Sequence, residues 1–162
     1  MNSKILILVA IMSIQITAFS QISGKIEQEA KSQTRYALEL CKYLHQNPEL
    51  SFQEFETSKR MASELKKAGF EVTTNFGGNS VVGVLKNGDG PVIMLRTDMD
   101  ALPVKEKTGF EFASTKMVEN ADGEEVPVMH ACGHDIHMSV WTGTIRTLVA
   151  LKDQWKGTLL VI

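Results

Sequence analysis

The amino-acid sequence predicts an α/β fold in which helices pack on a mixed, partly parallel sheet. Two stretches with helical spacing of apolar residues come first, and a series of short apolar, β-branched segments follows them. A third helical pattern then leads into one more such segment. With 43% hydrophobic and 22% charged residues, the chain of 162 residues has ordinary globular composition and enough apolar material for one modest core.

The charge balance excludes two classes of partner. The chain carries 17 Lys and Arg against 19 Asp and Glu, without a long run of like charge. A nucleic-acid-binding surface or a polybasic membrane patch needs a strong local excess of positive charge. We therefore expect a small-molecule partner, no nucleic acid and no stable membrane anchor on the mature chain.

Residues 1–20 have the pattern of a signal peptide. Lys4 supplies a positive start, and the apolar run 5–12 is too short to span a bilayer. A small-residue pattern follows, so we predict cleavage after Ser20, a mature domain over residues 21–162, and export to the periplasm or the medium. An uncleaved anchor helix is the alternative, but polar residues interrupt the apolar stretch, namely Ser13, Gln15 and Thr17.

Two amphipathic helices are predicted in the first half of the chain. Helical spacing of apolar residues covers residues 25–45, and Asn47-Pro48 closes this helix. Ser51 followed by Glu54 forms a capping box, which is a typical helix start. The second helix is therefore expected over about residues 52–68.

Short strands follow the second helix. They are predicted at residues 70–74, 80–85, 92–96 and, near the end of the chain, 158–162. Segment 92–95 is a continuous apolar run rather than an alternating one, which is typical of a strand buried on both faces. We therefore predict that residues 92–96 form a central strand of the sheet.

The long connection 97–129 shows little periodicity and much charge. Within it, residues 119–125 are predicted to form a surface loop or a short hairpin. A third helix should then follow the histidine cluster and end near Leu151, because apolar residues recur at helical spacing. These residues are Met138, Trp141, Ile145, Leu148 and Val149.

The two cysteines have different surroundings in the sequence. Cys41 lies within a helical pattern, and we expect it to be buried because a free cysteine behaves as a small hydrophobic residue. Cys132 lies among histidines. An oxidising compartment would allow a disulfide, but nothing in the sequence places the two residues within bonding distance.

The cluster His-Ala-Cys-Gly-His-Asp-Ile-His at residues 130–137 carries the strongest chemical signal. Only Gly133 separates Cys132 from His134, so a tight turn can direct both side chains at one point, as a thiolate and imidazole metal pair requires. Asp135 and His137 could orient an imidazole or cap the helix that follows. The alternative is a hydrogen-bonded polar loop without a metal.

A second polar group, Arg-Thr-Asp-Met-Asp at residues 96–100, directly follows the apolar strand. Open α/β sheets present ligand-contacting residues at the carboxyl ends of their strands. Its carboxylates, Asp98 and Asp100, could orient a metal-bound histidine, bind the metal or pair with Arg96. The sequence leaves these three interpretations open.

Together with the cluster at 130–137, Arg-Thr-Asp-Met-Asp-Ala-Leu-Pro at 96–103 resembles the aminoacylase and carboxypeptidase family of metallopeptidases. The segment His-Gln-Asn-Pro-Glu-Leu-Ser-Phe-Gln-Glu at 45–54 is similar to the opening motif of that family. The branch it resembles contains hippurate hydrolases, N-acyl-amino-acid amidohydrolases and plant auxin-conjugate hydrolases. The resemblance implies the N-terminal part of a metallopeptidase catalytic domain, incomplete at its C-terminus.

The resemblance also implies the site. It suggests two divalent metal ions, drawn from Zn, Mn, Co and Ni, with Cys132 and His134 among their ligands. Asp98 is implied as the catalytic carboxylate that orients a ligand, and Arg96 stands where the larger family has a histidine.

The remaining motif residues are expected to have lesser roles. Asp100 and Leu102-Pro103 should shape the loop, and His45 should be structural because its motif holds no ligand position in the family. His130 and His137 are weaker ligand candidates.

The expected activity is metal-dependent hydrolysis of an amide bond in small N-acyl amino acids or related conjugates, by a protein that could be a homodimer at full length. The resemblance places the general base and further ligands beyond Ile162, so this chain alone should be weakly active or inactive. One alternative is a non-enzymatic truncated fragment or an incomplete gene model. Another drops the metal and makes Cys132 a nucleophile activated by His134 or His137.

Overall fold

The computed structural model describes the backbone from residue 3 and the side chains from residue 21, in both cases to residue 162. The elements are, in chain order, α1 (Ser3–Gln46), α2 (Phe55–Lys67), β1 (Glu71–Thr74), β2 (Val81–Asn87), β3 (Val92–Leu95), β4 (Met117–Glu119), β5 (Glu125–Pro127), α3 (His134–Ala150), a 3-10 turn (Lys152–Gln154) and β6 (Gly157–Val161). Within this part of the chain, none of the helices combines the length and apolar character that a membrane span needs. The predicted signal peptide lies outside the residues whose side chains are described.

Four strands form a mixed sheet in the order β1-β2-β6-β3. β1 pairs antiparallel with β2, β2 pairs antiparallel with β6, and β6 pairs parallel with β3. The mixed, partly parallel sheet expected from the sequence is therefore confirmed. β4 and β5 form a separate antiparallel hairpin, which confirms the short hairpin expected near residues 119–125.

Among the residues that the structure describes, β3 is an edge strand, which differs from the central position predicted for residues 92–96. It pairs with β6 on one side, and Val92, Ile93 and Met94 are 66%, 54% and 56% exposed. The inner position belongs to β6, whose Leu159 and Val161 are buried. A continuous apolar run describes both faces of a strand but does not reveal which later strand will insert beside it.

The second helix also begins differently from its prediction. Phe52 has a φ of 65°, a left-handed conformation that cannot continue into an α-helix, so α2 begins at Phe55. The predicted capping box is wrong, because no side chain of the N-cap residue bonds the first turn. Instead, the Glu49 carboxylate accepts the backbone N–H groups of Glu56 at 3.2 Å and Thr57 at 2.8 Å.

Two further elements lie close to their predicted positions, whereas the expected burial of Cys41 is only partly met. The third helix and the final strand lie within a residue or so of their predicted positions, and α1 extends further towards the N-terminus than expected. Cys41 is only half-buried, because α1 leaves one side of that position open beside α3.

The main core lies between the helices and one face of the sheet. Side chains at alternate positions of β2 and β6 are buried against all three helices. The best-buried members are Leu40 and Leu44 of α1, Met61 and Leu65 of α2, and Met138 and Ile145 of α3, together with Val161 of β6. Burying this apolar surface is the main stabilising contribution to such a layer.

A smaller core cluster brings the two polar motifs together. Leu50, Ala101 and Val128 are buried against one another beneath the β4–β5 hairpin. The backbone N–H of Leu102 donates to the carbonyl of Met129, and the reverse bond also forms, each at 3.0 Å. The segment that follows β3 is therefore held beside the segment that leads into α3.

Candidate metal centre

The candidate site lies at the carboxyl ends of the two parallel strands. β3 and β6 end side by side, and the N–H of Thr97 donates to the carbonyl of Ile162 at 3.0 Å. The polar segment 96–100 leaves the sheet at this edge, where α/β proteins commonly place ligand-binding groups. The first of the two sequence motifs is thus in the expected place.

The second motif forms a turn that opens α3. Gly133 is the N-cap of the helix and has φ 75° and ψ 24°, a left-handed conformation that glycine adopts without strain. His134 is the first helical residue, and Cys132 is exposed just before the turn. Cys132 and His134 therefore lie on either side of a sharp bend at Gly133.

His134 is oriented by the segment that follows β3. Its Nδ1 lies 2.8 Å from the backbone carbonyl oxygen of Asp100 and 3.1 Å from Asp100 Oδ1. A carbonyl oxygen can only accept, so Nδ1 must carry the proton and donate it. In the neutral ring with this tautomer, the lone pair lies on Nε2, which is the form of imidazole that binds a metal.

Asp98 is positioned differently from Asp100. Its Oδ1 lies 2.5 Å from Nη2 of Arg96, and both side chains are substantially exposed. The sequence left open whether the carboxylates of this motif orient a histidine or pair with Arg96. In the structure the two roles are divided, since Asp100 contacts the histidine and Asp98 contacts the arginine.

A buried network of three ionisable groups lies behind the turn. His45 Nδ1 is 2.7 Å from Asp135 Oδ2, and His45 Nε2 is 2.9 Å from Glu106 Oε1. Asp135 therefore contacts His45 rather than an imidazole of its own motif, and α3 has no side-chain N-cap. The sequence motifs did not identify Glu106 as a site residue, because it lies alone in an irregular loop.

The pKa values in this network follow from its geometry. Burial by itself would lower the pKa of His45, but hydrogen bonds to Glu106 and Asp135, and their negative charges, outweigh burial and raise it. Burial would likewise raise the pKa of Glu106, yet hydrogen bonds from Thr108, His45 and the Ser114 backbone lower it. These directions favour a charged imidazolium between two carboxylates.

The other two histidines of the motif differ from each other. His130 is 5% exposed, and neither ring nitrogen has a hydrogen-bond partner among the described residues. Burial is the main reason that the pKa of His130 is lowered to about 4, which favours its neutral form. The ring of His137 stacks on that of His134, with centroids 5.8 Å apart.

A cleft opens beside the segment 96–100. Its volume is about 430 Å³, and it reaches the carboxyl end of β6. Two exposed aromatic side chains, Phe52 and Phe76, and the side chain of Arg96 line its mouth. A larger groove of about 680 Å³ lies elsewhere, between α1 and α3, and is almost wholly apolar.

The chain is similar to known hydrolases over most of its length. The model of peptidase family M20/M25/M40 matches residues 94–162. Thermostable carboxypeptidase 2 of Saccharolobus solfataricus is 38% identical over 140 residues, which cover 85% of this chain and 33% of that protein. IAA-amino acid hydrolase ILR1-like 2 of Arabidopsis thaliana is 34% identical over 145 residues, or 88% of this chain and 31% of that protein.

The chain is also similar to a solved structure. The Bacillus subtilis YXEP protein, a dinuclear metal binding peptidase from the M20 family, superposes with a TM-score of 0.70 at 35% identity, over 81% of this chain and 35% of that one. The chain belongs to peptidase family M20/M25/M40. Both polar motifs lie within the matched residues, so the family resemblance and the fold expected from the sequence are confirmed.

This M20/M25/M40 chain spans about a third of the length of the relatives it matches. Within the part of the chain that the structure describes, no group of three or more His, Cys, Asp or Glu side chains is placed to hold a metal ion. The pair Cys132 and His134 nevertheless suits one, because a thiol and an imidazole with a free Nε2 flank one turn. The pair can contribute ligands to a centre but cannot by itself enclose one.

Proposed function

We propose that this chain supplies part of the metal centre of an amidohydrolase that cleaves the amide bond of small N-acyl amino acids or related conjugates. One observation carries the proposal: His134 Nδ1 bonds the Asp100 carbonyl, which makes Nε2 the ring atom available to a metal, two residues after Cys132 in the chain. Membership of the M20/M25/M40 family supports it, because a family neighbour is a dinuclear metal binding peptidase.

Each residue of the site has a proposed role. Cys132 and His134 hold a divalent ion among Zn, Mn, Co and Ni, with a second ion in the complete site. Asp100 fixes the tautomer of His134, and Asp98, whose carboxylate contacts Arg96 at the mouth of the cleft, is proposed as the catalytic carboxylate from its resemblance to the family motif. A divalent ion held here would supply Lewis-acid activation for attack of water on the acyl carbonyl.

The adjoining cleft supports a small amide substrate. Phe52 and Phe76 offer apolar contact for an acyl or aromatic group, and the exposed Arg96 lies at the same mouth. Such a mixture of apolar lining and few polar groups is typical of small-molecule sites. The relative from Arabidopsis thaliana, a hydrolase of IAA-amino acid compounds by its name, supports the same substrate class.

The same proposal extends to the cellular context. The pattern of residues 1–20 supports export of the chain and cleavage after Ser20, which leaves residues 21–162 as the N-terminal part of the catalytic domain. We also propose that the complete protein forms a homodimer and does not bind nucleic acid.

The test compares the two cysteines in the intact gene product. Cys132→Ser should lower metal affinity and hydrolysis of N-acyl amino acids together, by tenfold to a hundredfold or more, because an alcohol is a poor substitute for a thiolate. Cys41→Ser is the matched control, since it also removes one sulfur, and the serine hydroxyl can keep the contact that Cys41 Sγ makes with Asp135 Oδ2 at 4.0 Å. Metal content after dialysis against a weak chelator, measured by elemental analysis, reports the loss.

Two results would contradict the proposal. Equal metal content in Cys132→Ser and the parent would remove Cys132 from the metal centre. Turnover that survives chelation but is abolished by thiol alkylation would favour the alternative in which Cys132 is a nucleophile.

A further inference from the structure

Consecutive residues at the start of α3 are anchored to different parts of the molecule. His134 is tied to Asp100, in the segment that follows β3, and Asp135 is tied to His45, in the last turn of α1. Successive side chains on an α-helix point about 100° apart. Two anchors at that angle fix both the position and the rotation of the first turn, which one anchor could not do.

These anchors close into a ring. Glu106 lies six residues after Asp100 on the same loop, and it contacts the second nitrogen of His45. The ring therefore runs from His134 to Asp100, along the chain to Glu106, through His45 to Asp135, and back to His134. His45 is the member that joins the loop to α3.

When both neighbouring carboxylates are ionised, both nitrogens of His45 must donate. Each faces a carboxylate oxygen, at 2.7 Å for Asp135 and 2.9 Å for Glu106, and a neutral imidazole would direct a lone pair at one of them. The negative end of the α1 dipole also favours a positive charge at this helix terminus. Phe112 packs edge-on against the ring, with centroids 5.4 Å apart.

We propose that His45 is a positioning residue, which holds the first turn of α3 so that Cys132 and His134 meet a metal ion in the correct relative orientation. The proposal rests on the proposed metal centre. It gives His45 a function beyond stability, because the contact with Asp135 is transmitted to the adjacent ligand, whereas the contact with Glu106 secures the loop.

Two substitutions separate the two contacts of His45. The amide nitrogen of Asn occupies roughly the place of Nδ1, so His45→Asn keeps a donor towards Asp135. The amide nitrogen of Gln reaches roughly the place of Nε2, so His45→Gln keeps a donor towards Glu106. Tyr36→Phe is the matched control on the same helix, because it removes a donor to the buried Glu64, away from the α3 turn.

The experiment loads the intact gene product with Co²⁺ alone. Cobalt affinity is measured by competition with a chromogenic chelator, and the near-ultraviolet thiolate-to-cobalt absorption reports the bond to Cys132. His45→Gln should bind cobalt about tenfold more weakly with a diminished thiolate band, His45→Asn should stay within about threefold of the parent, and Tyr36→Phe should match it. Urea denaturation follows stability separately.

Parental cobalt affinity and spectrum in His45→Gln would overturn the positioning role while leaving the metal centre intact. Equal losses in the two His45 variants, or a comparable loss in Tyr36→Phe, would also overturn it, because a general loosening would then explain the effect. A parent whose spectrum does not change in Cys132→Ser would overturn the metal centre and the positioning role together.

Discussion

Helix α1 takes part in two buried carboxylate networks that use the same chemistry for different ends. Near the C-terminal end of the helix, His45 bridges Asp135 and Glu106 beside the candidate metal pair. Earlier in α1, the hydroxyl of Tyr36 donates to Glu64 of α2 at 2.5 Å, and Arg60 reaches the same carboxylate at 2.9 Å. The first network joins segments distant in sequence, and the second joins two neighbouring helices.

The two networks also differ in their access to water. The side chains of His45, Glu106 and Asp135 are 10%, 0% and 3% exposed, so that network is enclosed. Around Glu64, the side chain of Arg60 is 28% exposed and that of Lys67 is 59% exposed. Removing the partner of a charged group lowers stability strongly only where water cannot take the partner's place. Substitutions in the enclosed network should therefore lower the free energy of unfolding more than substitutions around Glu64.

Removing the central carboxylate of each network gives the largest expected contrast. Glu106→Ala leaves the His45 imidazolium and the Ser114 N–H without their partner, and should lower the free energy of unfolding by about 3 kcal/mol or more. Glu64→Ala should cost roughly 1–2 kcal/mol, because water can reach the groups that it frees. Urea denaturation at neutral pH measures both, and equal losses would contradict the comparison.

A second contrast lies in the dependence of stability on pH. The folded-state pKa of His45 is raised above 6.5, so its contribution is fully present below pH 6.5 and is lost as pH rises through the folded pKa. Burial would raise the pKa of Glu64, but Tyr36, Arg60 and Lys67 lower it below 4.5, so its contribution is present above pH 4.5 and is lost as pH falls.

Variants of each residue separate these two windows. His45→Gln should lack part of the alkaline loss of stability, and Glu64→Gln should lack part of the acid loss while keeping the alkaline one. Unfolding free energies from urea titrations between about pH 2.5 and pH 9 give the comparison. Besides Asp135 and Glu106, His45 has His130 nearby, so the alkaline difference is measured above pH 6.5, where His130 is already neutral. Identical profiles in the two variants would argue against the assigned directions.

The sequence predicted those parts of the fold that depend on local periodicity. The third helix, the final strand and the hairpin near residue 119 follow from spacing and turn residues alone. The order of the strands did not follow, because the place of β6 between β2 and β3 depends on pairing between segments far apart in the chain. The start of α2 was predicted wrongly because Phe52 adopts a left-handed conformation, which in a sequence is normally indicated by a glycine.

In the candidate site, too, local features could be predicted from the sequence and long-range contacts could not. Cys132, Gly133 and His134 could be picked out because their chemistry and spacing are compressed into one turn. The role of Asp100 could not be separated from that of Asp98, since both follow the same strand and only the fold decides which one meets His134. Glu106 carried no signal at all, because its importance lies in a contact with a residue of another helix.

The smallest expected effect on stability belongs to the two carboxylates after β3. The Arg96 and Asp98 pair is 63% and 38% exposed, so Asp98→Ala should change the free energy of unfolding by no more than about 0.5 kcal/mol. Asp100→Ala should change it as little, because the Asp100 backbone carbonyl still accepts the proton of His134 Nδ1 at 2.8 Å. The two variants should differ in metal binding and in activity. Asp100→Ala loses the 3.1 Å side-chain contact with His134 and should weaken cobalt binding up to about tenfold. Asp98→Ala should lower kcat while its cobalt affinity stays near that of the parent. Cobalt competition and steady-state kinetics on the same preparations measure the split, and a loss of cobalt affinity in Asp98→Ala greater than in Asp100→Ala would reverse the assignment of the two residues.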